Sequence, residues 1–169
     1  ASTREAFVQG VLQAAEGDKR VALVSADSLK ALRAESFKER FPDRFFDVGI
    51  AEQTAVAFGA GLASVGMIPF VGTYAGFLTM RAAEQMRTFV GYPGLTVKFI
   101  GLNGGLYGGE REGVTHQFYE DLGILRTIPG YEVCVPCDGP QTELATVAIA
   151  TRPGPGYIRV GSGQEPVIV

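Results

Sequence analysis

The strongest constraint on the fold is an alternation, repeated to the end of the chain, between short apolar runs of strand length and longer segments with helical spacing. The runs fall at 21–25 (VALVS), 45–48 (FFDV), 68–72, 96–100, 131–135 and 156–160. The first two do not alternate strictly between apolar and polar, which suits strands buried on both faces. Residues 5–16 place Phe7, Val8, Val11, Leu12 and Ala15 at helical spacing before Gly17 supplies a stop. From 52 to 65 small and apolar residues dominate, with Val56, Gly59, Ala60 and Ala63 able to pack closely against a sheet and Gly66 closing the helix. Further helices are predicted over 76–90, near 119–125 and over 141–150, while the polar stretch 26–44 reads as a loop or short surface helix. The pattern predicts an α/β, doubly wound fold: a parallel sheet of about six strands with helices on both faces and right-handed crossovers. Ligands bind such sheets beyond the carboxyl ends of the strands, so the loops of interest follow Ser25, Val48, Gly72, Ile100 and Val135.

Composition narrows the functions open to this fold. At 169 residues and 46% hydrophobic content the chain supports one domain spanning 1–169. Its net charge of -3 arises from 15 basic and 18 acidic residues without blocks of either sign, which argues against nucleic acid and anionic membrane as partners. No apolar run reaches the ~18 residues of a spanning helix, and the first residues lack the order of a signal peptide, so a cytoplasmic protein is expected. Cys134 and Cys137 form a single CxxC. A zinc site needs about four ligands, and only His116 is left to join them, so no metal is expected on this chain. A redox CxxC normally opens a helix instead of closing a strand.

Three loops hold residue types suited to chemistry. Glu52 follows the run at 45–48 and opens a helix, where free backbone N–H groups and the helix dipole favour a carboxylate. Taken alone, a first-turn glutamate is usually structural. Tyr74 and Phe77 lie three apart where the next strand gives way to its helix, so both rings can project on one side. Aromatic pairs at that spacing are more often core, but a carboxylate and two rings from neighbouring junctions make a slot for a flat heterocycle with a protonatable ring nitrogen. The third loop, 103–117, is dense in glycine and ends near His116, a candidate general acid or base. Its glycines do not match the P-loop spacing, and no Lys-Ser/Thr pair follows them.

The stretch DVGIAEQTAVAFGAGLASVGMIPFVGTYAGFLTMRAAEQMR at 47–87 and the GVTHQ at 113–117 resemble the pyrimidine-binding (Pyr) domain of transketolases and of deoxyxylulose-phosphate synthase, and are most similar to split, two-chain transketolases. The resemblance implies thiamine diphosphate as cofactor. Glu52 matches the glutamate that hydrogen-bonds the aminopyrimidine ring nitrogen and promotes its imino tautomer, which takes the proton from the thiazolium carbon. Burial is expected to tune that carboxyl group. Tyr74 and Phe77 match the rings lining the pyrimidine, with Phe77 the stacking ring. Asp27 matches an aspartate approaching the thiazolium across a dimer interface, and Arg81 an arginine near the same pocket. His116 matches the histidine on the substrate's hydroxyls, Glu112 replaces an aspartate of that loop, and Arg4 matches an arginine reaching a sugar phosphate.

In this group the diphosphate and a divalent metal, Mg²⁺ or another, belong to a PP domain marked by Gly-Asp-Gly. Gly17-Asp18-Lys19 fails that pattern, so the metal and diphosphate are expected on another chain, a PP-domain partner subunit, or on a region outside this sequence. The family's C-terminal domain is also expected outside this chain. The resemblance further implies a homodimer through the Pyr domain and a sugar or sugar-phosphate substrate, in a transferase that moves a two-carbon ketol unit from ketose to aldehyde and is expected to be inactive without its partner. Ser162 stands where the family usually carries a phosphate-binding arginine, Asn103 where it has a histidine, and Arg111 is an added residue. A serine cannot replace a bidentate arginine, which suggests an unphosphorylated or unusual substrate unless Arg159 compensates. The rival readings are a 2-oxoacid dehydrogenase E1 β-type or deoxyxylulose-phosphate-synthase-like subunit, and a non-catalytic assembly subunit.

Overall fold

The computed structural model describes residues 2–106, 112–162 and 166–168. Six strands, β1 Val21–Ser25, β2 Phe45–Asp47, β3 Ile68–Tyr74, β4 Lys98–Leu102, β5 Glu132–Cys134 and β6 Gly156–Arg159, form one sheet in the order β2-β1-β3-β4-β6-β5. Every neighbouring pair is parallel. The chain therefore leaves β1 toward one edge and returns to β3 on its other side, the reversal of strand order at which doubly wound sheets open a crevice. Ser25 lies opposite both Asp47 and Gly72, and Tyr74 opposite Leu102, so the carboxyl ends of these strands are nearly level. β1 is buried along its whole length, as its unbroken apolar run predicts, but β2 is only half-buried and ends on an exposed aspartate. β2 forms the sheet edge and has a single neighbour, which the absence of strict alternation does not reveal.

Helices cover both faces. α1 Thr3–Gly17 opens with a capping box, Ser2 accepting from the Glu5 N–H while the Glu5 carboxylate accepts from the Ser2 N–H. It packs beside α7 Gly139–Ala150, whose N-cap Asp138 accepts from the Gln141 N–H. Phe7, Val11 and Ile149 from these helices share a core with Leu23, Phe70, Ile100 and Ile158 of the sheet. Two short helices, α2 Leu29–Leu32 and α3 Glu35–Arg40, fill the polar stretch after β1 and contribute Leu32 and Phe37 to that core. On the opposite face α4 Glu52–Ser64 lays Val56 and Ala60 against Val24, Val71 and Phe99, joined by Leu125 of α6 Asp121–Arg126. Gly66, at φ 90°, ends that crossover as expected.

The segment predicted as one helix over 76–90 is instead two π-helical turns, Phe77–Arg81 and Met86–Gly91, on either side of the short α5 Ala83–Gln85. Hydroxyls from outside the regular ladder serve its carbonyls: Thr79 Oγ1 donates to Ala75 O and the Tyr131 hydroxyl to Met86 O, each at 2.8 Å. Among the described residues no helix is long and apolar enough to cross a membrane.

Candidate functional site

The site begins with the loops after β1 and β2. Asp47 Oδ1 accepts from the Asp27 N–H at 3.0 Å and from the Gly49 N–H at 2.9 Å, so one carboxylate oxygen ties both loops together immediately before α4. Glu52 is the first residue of α4, and no side chain caps that helix. Its carboxylate therefore stands at the positive end of an uncapped helix. The residue is 5% exposed. A buried carboxylate needs a partner, and Arg81 supplies it: Nη1 donates to Glu52 Oε1 at 2.9 Å. The arginine is half-exposed, and the pair faces an open hollow of about 510 Å³ lined also by Ile50, Ala51, Gln53 and Thr54.

From Arg81 the contacts run on to the aromatic residues. Its guanidinium lies 4.0 Å over the Phe77 ring, within the range of a cation–π contact. Residues four apart share a side of a helical turn, and this one, Phe77–Arg81, is a π turn, a feature that recurs at functional sites. Phe77 meets Tyr74 edge-on at 5.7 Å, and His116 stands edge-on to both, 4.9 Å from Tyr74 and 5.0 Å from Phe77. The histidine ends a 3-10 turn, Val114–His116, entered through Gly113 at φ 79°, with Thr115 Oγ1 3.0 Å from its Nδ1. Glu52, Arg81, Phe77, Tyr74 and His116 thus form one unbroken run of contacts at the carboxyl edge of the sheet. A buried acid beside aromatic rings and one imidazole suits a flat heterocycle with a protonatable nitrogen, held next to a group that exchanges protons with hydroxyls.

The other anticipated residues lie around this run. Asp27 sits exposed at the end of β1 with φ 51°. Glu112 is exposed on the turn before His116, and Arg111 lies outside the described residues. Arg4 is half-buried: its guanidinium donates to the Asn103 side chain, to Ala31 O at 3.2 Å and to Gly161 O at 3.4 Å. Asn103, which replaces the histidine expected there, thus serves as an acceptor for Arg4. Arg159, the candidate to compensate for Ser162, turns inward. Its Nε lies 3.1 Å from the buried Asp121 and its Nη2 donates to Phe118 O. No motif of the chain assigns Asp47 a role, although an aspartate accepting from the backbone N–H two residues on forms an Asx turn.

Residues 1–164 match the family model of the transketolase pyrimidine-binding domain. The chain belongs to this family. It is 37% identical over 157 residues to a 6-deoxy-6-sulfo-D-fructose transketolase subunit of Clostridium sp. (strain MSTE9), covering 93% of this chain and 48% of that protein. To an apulose-4-phosphate transketolase subunit from Phocaeicola vulgatus it is 36% identical over 163 residues, 96% of this chain and 52% of the relative. Among solved structures, a split-gene transketolase described as an inactive tetramer superposes with TM-score 0.89 at 36% identity, over 100% of this chain and 54% of that one. A transketolase from Pichia stipitis, 21% identical, shares the fold with TM-score 0.83 over 99% of this chain and 26% of that one. This pyrimidine-binding domain spans about half the length of the transketolase subunits it matches.

Proposed function

We propose that the chain supplies the pyrimidine half of a thiamine-diphosphate site in a transketolase-type enzyme, completed by a PP-domain subunit that holds the diphosphate and Mg²⁺ or another divalent metal. The unbroken run from buried Glu52 through Arg81 to Phe77, Tyr74 and His116 carries this reading. When bound, thiamine diphosphate supplies an acidic thiazolium carbon that takes a two-carbon ketol fragment from a ketose and passes it to an aldehyde.

The chain's own residues bind, orient and move protons. Glu52 shares a proton with the ring nitrogen of the heterocycle, and its burial keeps water from competing for that bond. Arg81 holds the carboxylate in place. Phe77 and Tyr74 bound the flat ring, Phe77 by stacking. His116 contacts the substrate's hydroxyls and serves as acid or base there, with Glu112 and Arg4 directed toward the sugar and Asp27 toward the thiazolium of a site shared with a second copy. With Arg159 turned inward, Ser162 offering no charge and the Arg4 guanidinium already donating to Asn103, Ala31 O and Gly161 O, the cationic grip on an anionic substrate end is weak, which favours a weakly held or unphosphorylated one. Ile50, which lines the hollow with Glu52, is exposed, as are Phe58 further along α4 and Met80 next to Arg81 in the chain, apolar groups suited to the interface on which the partner and the second copy dock.

The test is reconstitution. The chain, its PP-domain partner, thiamine diphosphate and Mg²⁺ should transfer ketol units from a ketose to an aldehyde, whereas either chain alone should not. An assembled, cofactor-loaded complex without transfer from any ketose would instead favour the assembly-subunit reading.

A further inference from the structure

His116 can act only where its ring is held, and a buried charge pair stands behind the segment that carries it. Asp121, the first residue of α6, is fully buried. Its Oδ2 accepts from the Tyr157 hydroxyl of β6 at 2.6 Å, and Arg159 Nε, also on β6, lies 3.1 Å from the same oxygen. That second approach is an ion-pair contact without hydrogen-bond alignment, and Asp121 Oδ1 has no hydrogen-bond partner among the described residues. Arg159 also reaches forward, Nη2 donating to Phe118 O at 2.8 Å. Phe118 exchanges backbone hydrogen bonds with Gly105, and its ring lies 5.3 Å from Phe77 and 6.4 Å from His116. A chain of direct contacts therefore links a buried acid on one element to the imidazole on another.

The surroundings are shaped for this chain. A Cβ at Gly101 would lie 2.1 Å from the Tyr157 hydroxyl, one at Gly104 2.3 Å from Arg159 Nε, and one at Gly76 1.9 Å from the Phe118 ring. Each of the three side chains is seated where a glycine leaves room. Taking a charge pair out of water costs several kcal/mol, and apolar residues of similar volume often stabilise a core as well or better. What the pair provides, and apolar packing does not, is direction: the guanidinium fork is held at one end by a carboxylate and fixes a backbone carbonyl with the other. Burial, followed by the charge and hydrogen bond of Asp121, raises the Tyr157 hydroxyl well above its ordinary pKa, so it remains a donor to that carboxylate.

We infer that Asp121 is a positioning residue which, through Arg159 and Phe118, sets the His116 ring against Tyr74 and Phe77. The inference rests on the role proposed for His116, but its test does not. His116 is the only histidine of the 169 residues, and rings standing edge-on about 5 Å away displace its imidazole signals from random-coil values. In the isotope-labelled chain, with signals assigned through His116→Gln, Asp121→Asn should remove most of that displacement while the amide spectrum remains that of a folded protein. Because Asp121→Asn leaves a buried guanidinium unpaired and can unfold the chain, the neutral double variant Asp121→Asn/Arg159→Met serves beside it. It should recover thermal stability yet leave the His116 signals shifted from their wild-type positions, and in the reconstituted complex it should lower kcat/KM for the ketose while thiamine diphosphate binds as tightly as before. A folded double variant whose His116 signals coincide with wild type would overturn the inference and leave the proposed ketol transfer untouched. Shifted signals in the variant, with no transfer from the wild-type complex, would uphold the inference and overturn the transfer.

Discussion

Two hollows lie at opposite ends of the sheet, and the larger is not the one proposed as the site. At the amino ends of the strands a space of about 700 Å³ opens between the ends of α1, α4 and α7, lined by Asp18, Arg20, Met67, Thr96 and Arg152 among others. Beside Glu52, at the carboxyl ends, the hollow is about 510 Å³. At the amino end the charges are matched within the surface itself: Arg20 pairs with Asp18 at 2.7 Å and Arg152 with Glu132 at 2.8 Å. Lys98, buried near that end, donates to the carbonyls of Arg152 and Gly154 at 2.8 and 2.6 Å. Those polar groups are engaged with one another and with backbone carbonyls. At the carboxyl end one half-exposed arginine serves both a buried acid and an aromatic ring, and the lone histidine joins the same cluster. Strand direction and the convergence of groups with proton chemistry, more than cavity size, distinguish a site in a parallel sheet.

The contrast breaks most visibly at Glu52. Glu52→Ala should lower turnover of the reconstituted complex by ~10²–10⁴-fold, the usual range for a lost acid or base, while the melting temperature of the chain stays close to wild type. Near-normal rates from a loaded variant complex would erase the distinction between the two ends. A smaller effect is expected at Phe77. Phe77→Ala should weaken thiamine diphosphate binding about tenfold, one ring contact's worth of roughly 1.4 kcal/mol, as read by calorimetry on the complex. Smallest of all for catalysis is Lys98→Met, which should leave turnover unchanged and show itself in stability alone. Burial lowers the Lys98 ammonium to about 8. Between there and its ordinary value the unfolded chain holds the proton and the folded chain does not, so stability rises with pH. Wild type should therefore gain on Lys98→Met as pH climbs from about 8 toward about 10, measured by paired thermal denaturation.

How much of this was legible in the chain depends on the range of the forces involved. The strands and crossovers could be read because each apolar run and each stop, Gly17 and Gly66 among them, acts locally. Glu52, Tyr74, Phe77 and His116 were legible as neighbours because parallel strands deliver successive loops to one edge. The π turns around α5 were not, since the hydroxyl of Tyr131 that serves Met86 arrives from another element. Nor were the edge position of β2 or the fate of Arg159, which in sequence stands near the site but turns toward Asp121 because the carboxylate is buried there. Sequence distance places a side chain on an element and says nothing of the partner it finds.

Proton exchange at the thiazolium carbon of bound thiamine diphosphate tests the role of Glu52 most directly, because it reads the proton-sharing step without any substrate. Comparison of wild type with Glu52→Gln, which keeps the shape of the side chain and removes its ability to share a proton, isolates that role. Exchange in the Glu52→Gln complex should be slower by on the order of 10²-fold or more, with cofactor affinity retained. Equal exchange rates in two equally loaded complexes would contradict the assignment of that carboxylate.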